Sequence, residues 1–262
     1  MKSSNLAVMY ALLCRDLQVM RGHIKDALID GCILVAAQLT VFGCLFPAMG
    51  MKVELVPPLY IGSTLILLYE VVFAYAWTLI YDLEYKRTID YRITLPIAKK
   101  WLLAQLCVST ALQATLLSLP PFVVGLLFLS RLTPITHNVA HLLLACGMYF
   151  ITVLFLSTLL ISFSFYYSYT WFMLNVWPRR LVPLMMFSCA FFSWHHVAAF
   201  SPHLATLFLC NPMTYCAEGL RSLLLPSVVS LPAWLCASMI ILGIALAAGI
   251  LWRGVYKRLD PV

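Results

Sequence analysis

Apolar residues dominate this chain in long runs, and short polar segments separate one run from the next. A helix that crosses a bilayer needs about 20 mainly apolar residues. Six runs satisfy that length, at roughly 28–48, 59–81, 101–129, 139–166, 181–199 and 231–252. Ahead of the first, Leu6, Tyr10, Leu13, Leu17, Met20 and Ile24 recur in steps of three and four, with Arg15, Gln18, Arg21 and Lys25 elsewhere around the wheel. That period predicts an amphipathic helix over 1–27 lying in the headgroup layer. Arg15, Asp16, Arg21, His23, Lys25 and Asp26 interrupt any apolar core of a cleavable signal.

Prolines modify the pattern in two places. Pro120-Pro121 inside the third run predicts a kink or a stop, because neither residue can donate to the helical ladder. The stretch 200–230 is apolar but cut by Pro202, Pro212 and Pro226. No helix of spanning length fits there, so 202–226 reads as a re-entrant pair of short helices sheltered by protein in the outer leaflet. The expected fold is an all-α polytopic membrane protein. It has six transmembrane helices, an N-terminal interfacial helix, a polar 82–100 loop and a re-entrant segment before the last span.

Composition agrees with that class. Hydrophobic residues make up 63% and charged residues 10% of 262 positions, with mean hydropathy +0.94. A soluble domain carries about 25% charged residues, so much of this surface must face lipid. The net charge of +7 could suggest nucleic acid, but the basic residues sit in short clusters between apolar runs rather than on one folded face. All but Lys52, Arg131 and Arg221 of the 17 fall on one side when both ends are cytoplasmic. This is the positive-inside arrangement of a bacterial inner-membrane protein, and nucleic acid is not an expected partner. The nine cysteines are scattered singly. They read as small hydrophobes, with Cys210 and Cys216 the one pair placed to meet.

Candidate chemistry is sparse. None of the 11 glycines precedes a lysine, so no phosphate-cradling P-loop is present. No G-x-S-x-G elbow and no H-E-x-x-H helix occurs, and His195, His196 and His203 lack helical ligand spacing, so no metal site is expected. Glu70 stands in the middle of the second span, and a carboxylate there is a pathway candidate by default. Tyr69, Phe73 and Trp77 flank it; they read as an interfacial belt or as an aromatic platform for sugars or amphiphiles. In the 82–100 loop, Glu84, Arg87, Asp90, Arg92 and Pro96 form a mixed-charge element, either a solvated loop or a docking helix. At 211–221, Asn211-Pro212 starts a turn, and Tyr215, Glu218 and Arg221 follow at three-residue steps. Glu218 and Arg221 can pair, most simply as a structural ion pair.

Taken in order, LCRDLQVMRGHIKDALI, VFGCLF, RTIDYRITLPIAKKWLLAQ and NPMTYCAEGLRSLLLP resemble the permease subunits of type-2 ABC exporters. That group moves polysaccharides, teichoic acids, Nod factors and drugs. The last string is similar to the family's N-P-x-x-Y-x-x-E-x-x-R segment, and the resemblance spans essentially the whole chain. It implies two permease copies, a homodimer, bound to two copies of a separate ATPase that carries ATP and Mg; this chain itself would bind no cofactor and catalyse nothing. Glu84–Pro96 would be the coupling helix on that ATPase, Trp171–Arg180 a second contact, and 202–226 the re-entrant cap of the exit. Asp90 stands where the family commonly has glutamate. The cargo would be an amphiphile (glycan, glycolipid, lipid or drug) passing between spans two and five. Competing readings are a secondary transporter centred on Glu70, or a membrane enzyme acting on a lipid-linked substrate with His195 or His196 as base.

Overall fold

Each long apolar run closes its backbone hydrogen bonds within itself, as a chain without access to water must. In the computed structural model, which describes residues 5–86, 92, 97–131 and 138–259, the chain is helical and no strand occurs among those residues. Helix α1 is Asn5–Arg21. Helix α2 is Ile24–Gln38, prolonged by wider turns over Leu39–Leu45 and by Phe46–Ala48. Helix α3, Val56–Tyr81, takes Pro57 and Pro58 into its first turn, where a missing N–H costs nothing, and continues through Asp82–Lys86. Then come α4, Lys99–Leu129, and α5, Val139–Tyr166. Helix α6 joins Tyr169–Trp171, Phe172–Leu181 and Val182–Met186. Three short helices follow: α7 Trp194–Phe200, α8 Pro202–Leu209 and α9 Pro212–Leu224. The last is α10, Ala233–Leu259.

Among the described residues, five helical segments are long and apolar enough to cross a bilayer: Ile24–Ala48, Val53–Lys86, Lys99–Leu129, Val139–Tyr166 and Ala233–Val255. Leu127, Leu143 and Leu246 are each more than 60% exposed on their outer faces. Such surface is unfavourable in water and neutral against lipid tails, so the protein is membrane-embedded. Helix α5 is central: 61% of its apolar window is buried, against 6% for Ile24–Ala48 at the periphery. Helices α3, α4, α9 and α10 all pack on it.

Because lipid offers no hydrophobic drive between helices, side-chain hydrogen bonds help register them, each worth about 0.6 kcal/mol. Tyr149 donates to Ser118 Oγ (2.7 Å), Tyr60 to the Phe122 carbonyl (3.2 Å), and Ser164 to the Ala76 carbonyl (3.2 Å). Helix α4 does not stop at Pro120-Pro121. Phe122 stacks between Tyr60 (6.0 Å) and Tyr149 (5.3 Å), so neighbouring helices cover the weakened turn.

One expectation needs correction. A single helix over 181–199 is absent; α6 begins at Tyr169 and ends at Met186, and 187–193 leaves the helix, with Cys189 at φ 55°. Its Cys189 and Phe192 carbonyls are taken by Arg221, a partner 29 or more residues away in sequence, as described below. On α1, Leu6 and Tyr10 of the apolar stripe are exposed, while Leu12, Asp16 and Met20 turn toward α4. Asp16 fixes that contact through hydrogen bonds with α4, which a count of apolar positions does not detect.

Candidate functional site

The most constrained polar cluster lies where the α6–α7 connection meets α9. Asn211 and Ser201 cap the short helices: the Asn211 side chain accepts from Met213 N–H (3.0 Å), and Ser201 accepts from Leu204 N–H (3.5 Å). Pro212 and Pro202 then occupy the first turns. The Asn211 amide also donates to the carbonyls of Leu184 (2.7 Å) and Phe187 (2.9 Å), closing the end of α6. Tyr215 donates to the Leu209 carbonyl (2.8 Å). All five residues singled out here, Asn211, Pro212, Tyr215, Glu218 and Arg221, therefore belong to one structural unit.

At its centre Glu218 and Arg221 form an ion pair at 3.0 Å with neither side chain exposed. Arg221 donates further to the carbonyls of Cys189 (2.5 Å), Phe192 (3.0 Å) and Pro58 (3.2 Å), and to that of Ala190. Glu218 accepts from Trp194 N–H (3.1 Å), Leu231 N–H (3.3 Å) and Ser193 Oγ (3.5 Å). Burial pulls the Arg221 pKa below its usual value, and the adjacent Glu218 carboxylate works against that shift. The fork geometry of a guanidinium is what lets one side chain hold carbonyls from α3 and from 189–192 at once. Gly62 completes the junction: a β-carbon there would overlap the Ala190 carbonyl, so only glycine lets α3 come this close.

Glu70 lies in different surroundings. It is exposed, and it lines a groove of about 310 Å³ between α2, α3 and α4 together with Asp30, Thr64 and Ser118. The aromatic residues beside it face the other way. Tyr69, Phe73, Trp77, Tyr81 and Tyr85 repeat every four residues along α3 and its extension, and the row zips to α6. Phe73 lies 4.6 Å from Trp177 and 5.2 Å from Phe172, Tyr69 lies 6.2 Å from Trp177, and Trp77 Nε1 donates to Tyr169 Oη (2.9 Å). Of the four candidate pathway residues, Glu70 alone faces the groove; Tyr69, Phe73 and Trp77 form an interhelix seam.

The polar end of α3 carries the third cluster. Glu84 accepts from Tyr169 N–H at 2.9 Å, placing a carboxylate on the first turn of α6. Glu84 thus meets the helix that carries Trp171–Arg180 at Tyr169, two residues ahead of that segment. Arg180 covers the Tyr167 ring (4.7 Å) and the Trp171 ring (5.0 Å) and donates to Tyr167 Oη. Arg92 lies 3.5 Å from Asp16, tying the loop to α1. Arg87, Asp90 and Pro96 lie outside the described residues.

Asp16 is the residue that sequence reasoning missed. Its Oδ2 accepts from Gln105 (2.8 Å) and Ser109 (3.0 Å) on α4, and its Oδ1 from Arg15 (2.7 Å). The available signal was an acidic residue flanked by Leu12 and Met20 at i−4 and i+4. All nine cysteines are free; Cys216 is buried and Cys210 exposed, so the two do not pair. Comparison with known protein families and with curated proteins finds no match.

Proposed function

We propose that this chain is the membrane-spanning permease subunit of an ATP-driven exporter, working as one of two copies in a bacterial inner membrane and driven by a separate ATPase. The observation that carries this reading is the exposure of Glu70. A carboxylate midway along a 34-residue apolar helical segment is unfavourable against lipid, so a water-filled path or a second subunit must cover it. One chain alone leaves that face unfinished, as half of a pore would. The resemblance in NPMTYCAEGLRSLLLP and in the 82–100 loop points to the same family.

In this reading the five long helices and α6 make up six crossing elements, with both ends of the chain on the cytoplasmic side. Helices α7 to α9 are the re-entrant cap, fixed by the Glu218–Arg221 pair. The segment 82–100, including Glu84, Arg87, Asp90, Arg92 and Pro96, docks on the ATPase. Closure of the ATPase on ATP and Mg pushes that segment, and the Glu84–Tyr169 hydrogen bond carries the push into α6 as well as α3. The two copies separate along the face bearing Glu70, and an amphiphile crosses there. The test is affinity purification of a tagged copy from native membranes that also hold an untagged copy. Recovery of the untagged copy together with a Walker-motif ATPase, in equal amounts, is expected; recovery of the tagged chain alone contradicts the proposal.

A further inference from the structure

Charge and hydrogen-bonding capacity are one-sided in the groove that bears Glu70. Its volume of about 310 Å³ falls within the roughly 300–1,000 Å³ of small-molecule sites, and its walls are α2, α3 and α4. Leu34, Leu67, Val71 and Leu117 line it with hydrocarbon. A β-carbon on Gly31 would press on Pro121 Cγ at 2.9 Å, so glycine lets α2 come close to α4 along one wall. Within that apolar lining stand two carboxylates, Asp30 and Glu70, and among the described residues no Lys, Arg or His lines the groove.

Neither carboxylate has a hydrogen bond or an ion pair among the described residues. The hydroxyls beside them add no donors. Thr64 gives its own to the Tyr60 carbonyl (2.8 Å) and Ser118 to the Ala114 carbonyl (2.6 Å), so each can only accept. Tyr75 adds an aromatic ring, a surface that attracts ammonium ions. The groove therefore offers negative charge and acceptors inside an apolar slot. A neutral or anionic occupant would leave both carboxylates unmatched within the membrane, where an unpaired charge is costly.

We propose that this groove binds a cationic amphiphile, an apolar body carrying a protonated amine, and that this is the substrate class of the exporter. Glu70 accepts the N–H donors of the ammonium, Asp30 supplies the second negative charge, and the apolar body lies along α2 and α4. As a substrate class this rests on the exporter reading. As a binding site it needs no ATPase, so loss of binding would overturn it while leaving recovery of the ATPase untouched.

The test is native mass spectrometry of the purified full chain with probes of one chain length: dodecylamine, dodecyltrimethylammonium, dodecanol and dodecanoate. Dodecylamine should be retained best. Dodecyltrimethylammonium, which has the charge but no N–H, should come second, with dodecanol and dodecanoate behind it. Glu70→Gln should lower dodecylamine affinity about tenfold or more, as for a lost charge-assisted hydrogen bond, and leave dodecanol unchanged. Asp30→Asn should act in the same direction. Ala74→Trp, which fills the groove without altering charge, should abolish dodecylamine retention while the protein still elutes as the native species. Dodecylamine retained no better than dodecanol, or retained equally in both carboxylate variants, would overturn the proposal. So would loss of dodecanol together with dodecylamine in Glu70→Gln, which would mark a structural role for the carboxylate.

Discussion

Arg221 is the residue on which the end of the bundle turns. It is fully buried, and its charge is met by Glu218 while its two Nη groups also hold carbonyls of a connection that has left the helix. Removing one member of a buried pair strands the other, at a cost of about 3–5 kcal/mol. Arg221→Met should therefore release 187–193, and Cys189 reports it. In the intact protein burial, reinforced by Glu218, pushes the Cys189 thiol up to about 12. It stays protonated at pH 8 and should resist maleimide. Peptide-level mass spectrometry should find Cys189 unlabelled in the native chain and labelled in Arg221→Met; equal labelling in both would show that the arginine does not hold this loop. The i, i+3 pairing of Glu218 and Arg221 was legible from spacing. The carbonyls of Pro58, Cys189, Ala190 and Phe192 were not, because backbone acceptors carry no sequence signature.

Among the elements, legibility followed length. Helices with an unbroken apolar run stand out because lipid demands such a run. Helix α6 did not, since Arg179 and Arg180 lie within it and the apolar count shifts toward residues beyond 186. Its end depends on Asn211 and Arg221, which lie far along the chain. The contact of α1 with α4 was hidden for a related reason: Asp16 looks like a solvent residue until Gln105 and Ser109 are placed opposite it. The approach of α3 to 187–193 likewise rests on one atom's absence. Gly62→Ala should destabilise the protein by about 1–3 kcal/mol through overpacking. Gly147→Ala, where nothing lies within 4 Å of the added carbon, should be neutral or stabilising by up to about 1 kcal/mol. Thermal unfolding of the two variants in detergent checks the contrast, and equal midpoints would contradict the tight junction at Gly62.

For the whole molecule, the polar clusters divide the labour. The Glu218–Arg221 unit makes the short helices α7 to α9 rigid, the aromatic seam joins α3 to α6, and Glu84 ties the polar extension of α3 to the start of α6. Force applied at 82–86 would reach α3 and α6 together, while Glu70 is exposed on the other face of α3. In the proposed exporter, that makes the α3–α6 polar end the place where the motor docks. Tyr85 is 59% exposed at that end, and Val229 is 67% exposed beside the Glu218 unit. The most direct measurement is photocrosslinking in native membranes from an unnatural side chain placed at one or the other position. The account predicts a crosslink to a Walker-motif ATPase from position 85 and none from position 229. A crosslink from position 229, or none from position 85, would contradict it.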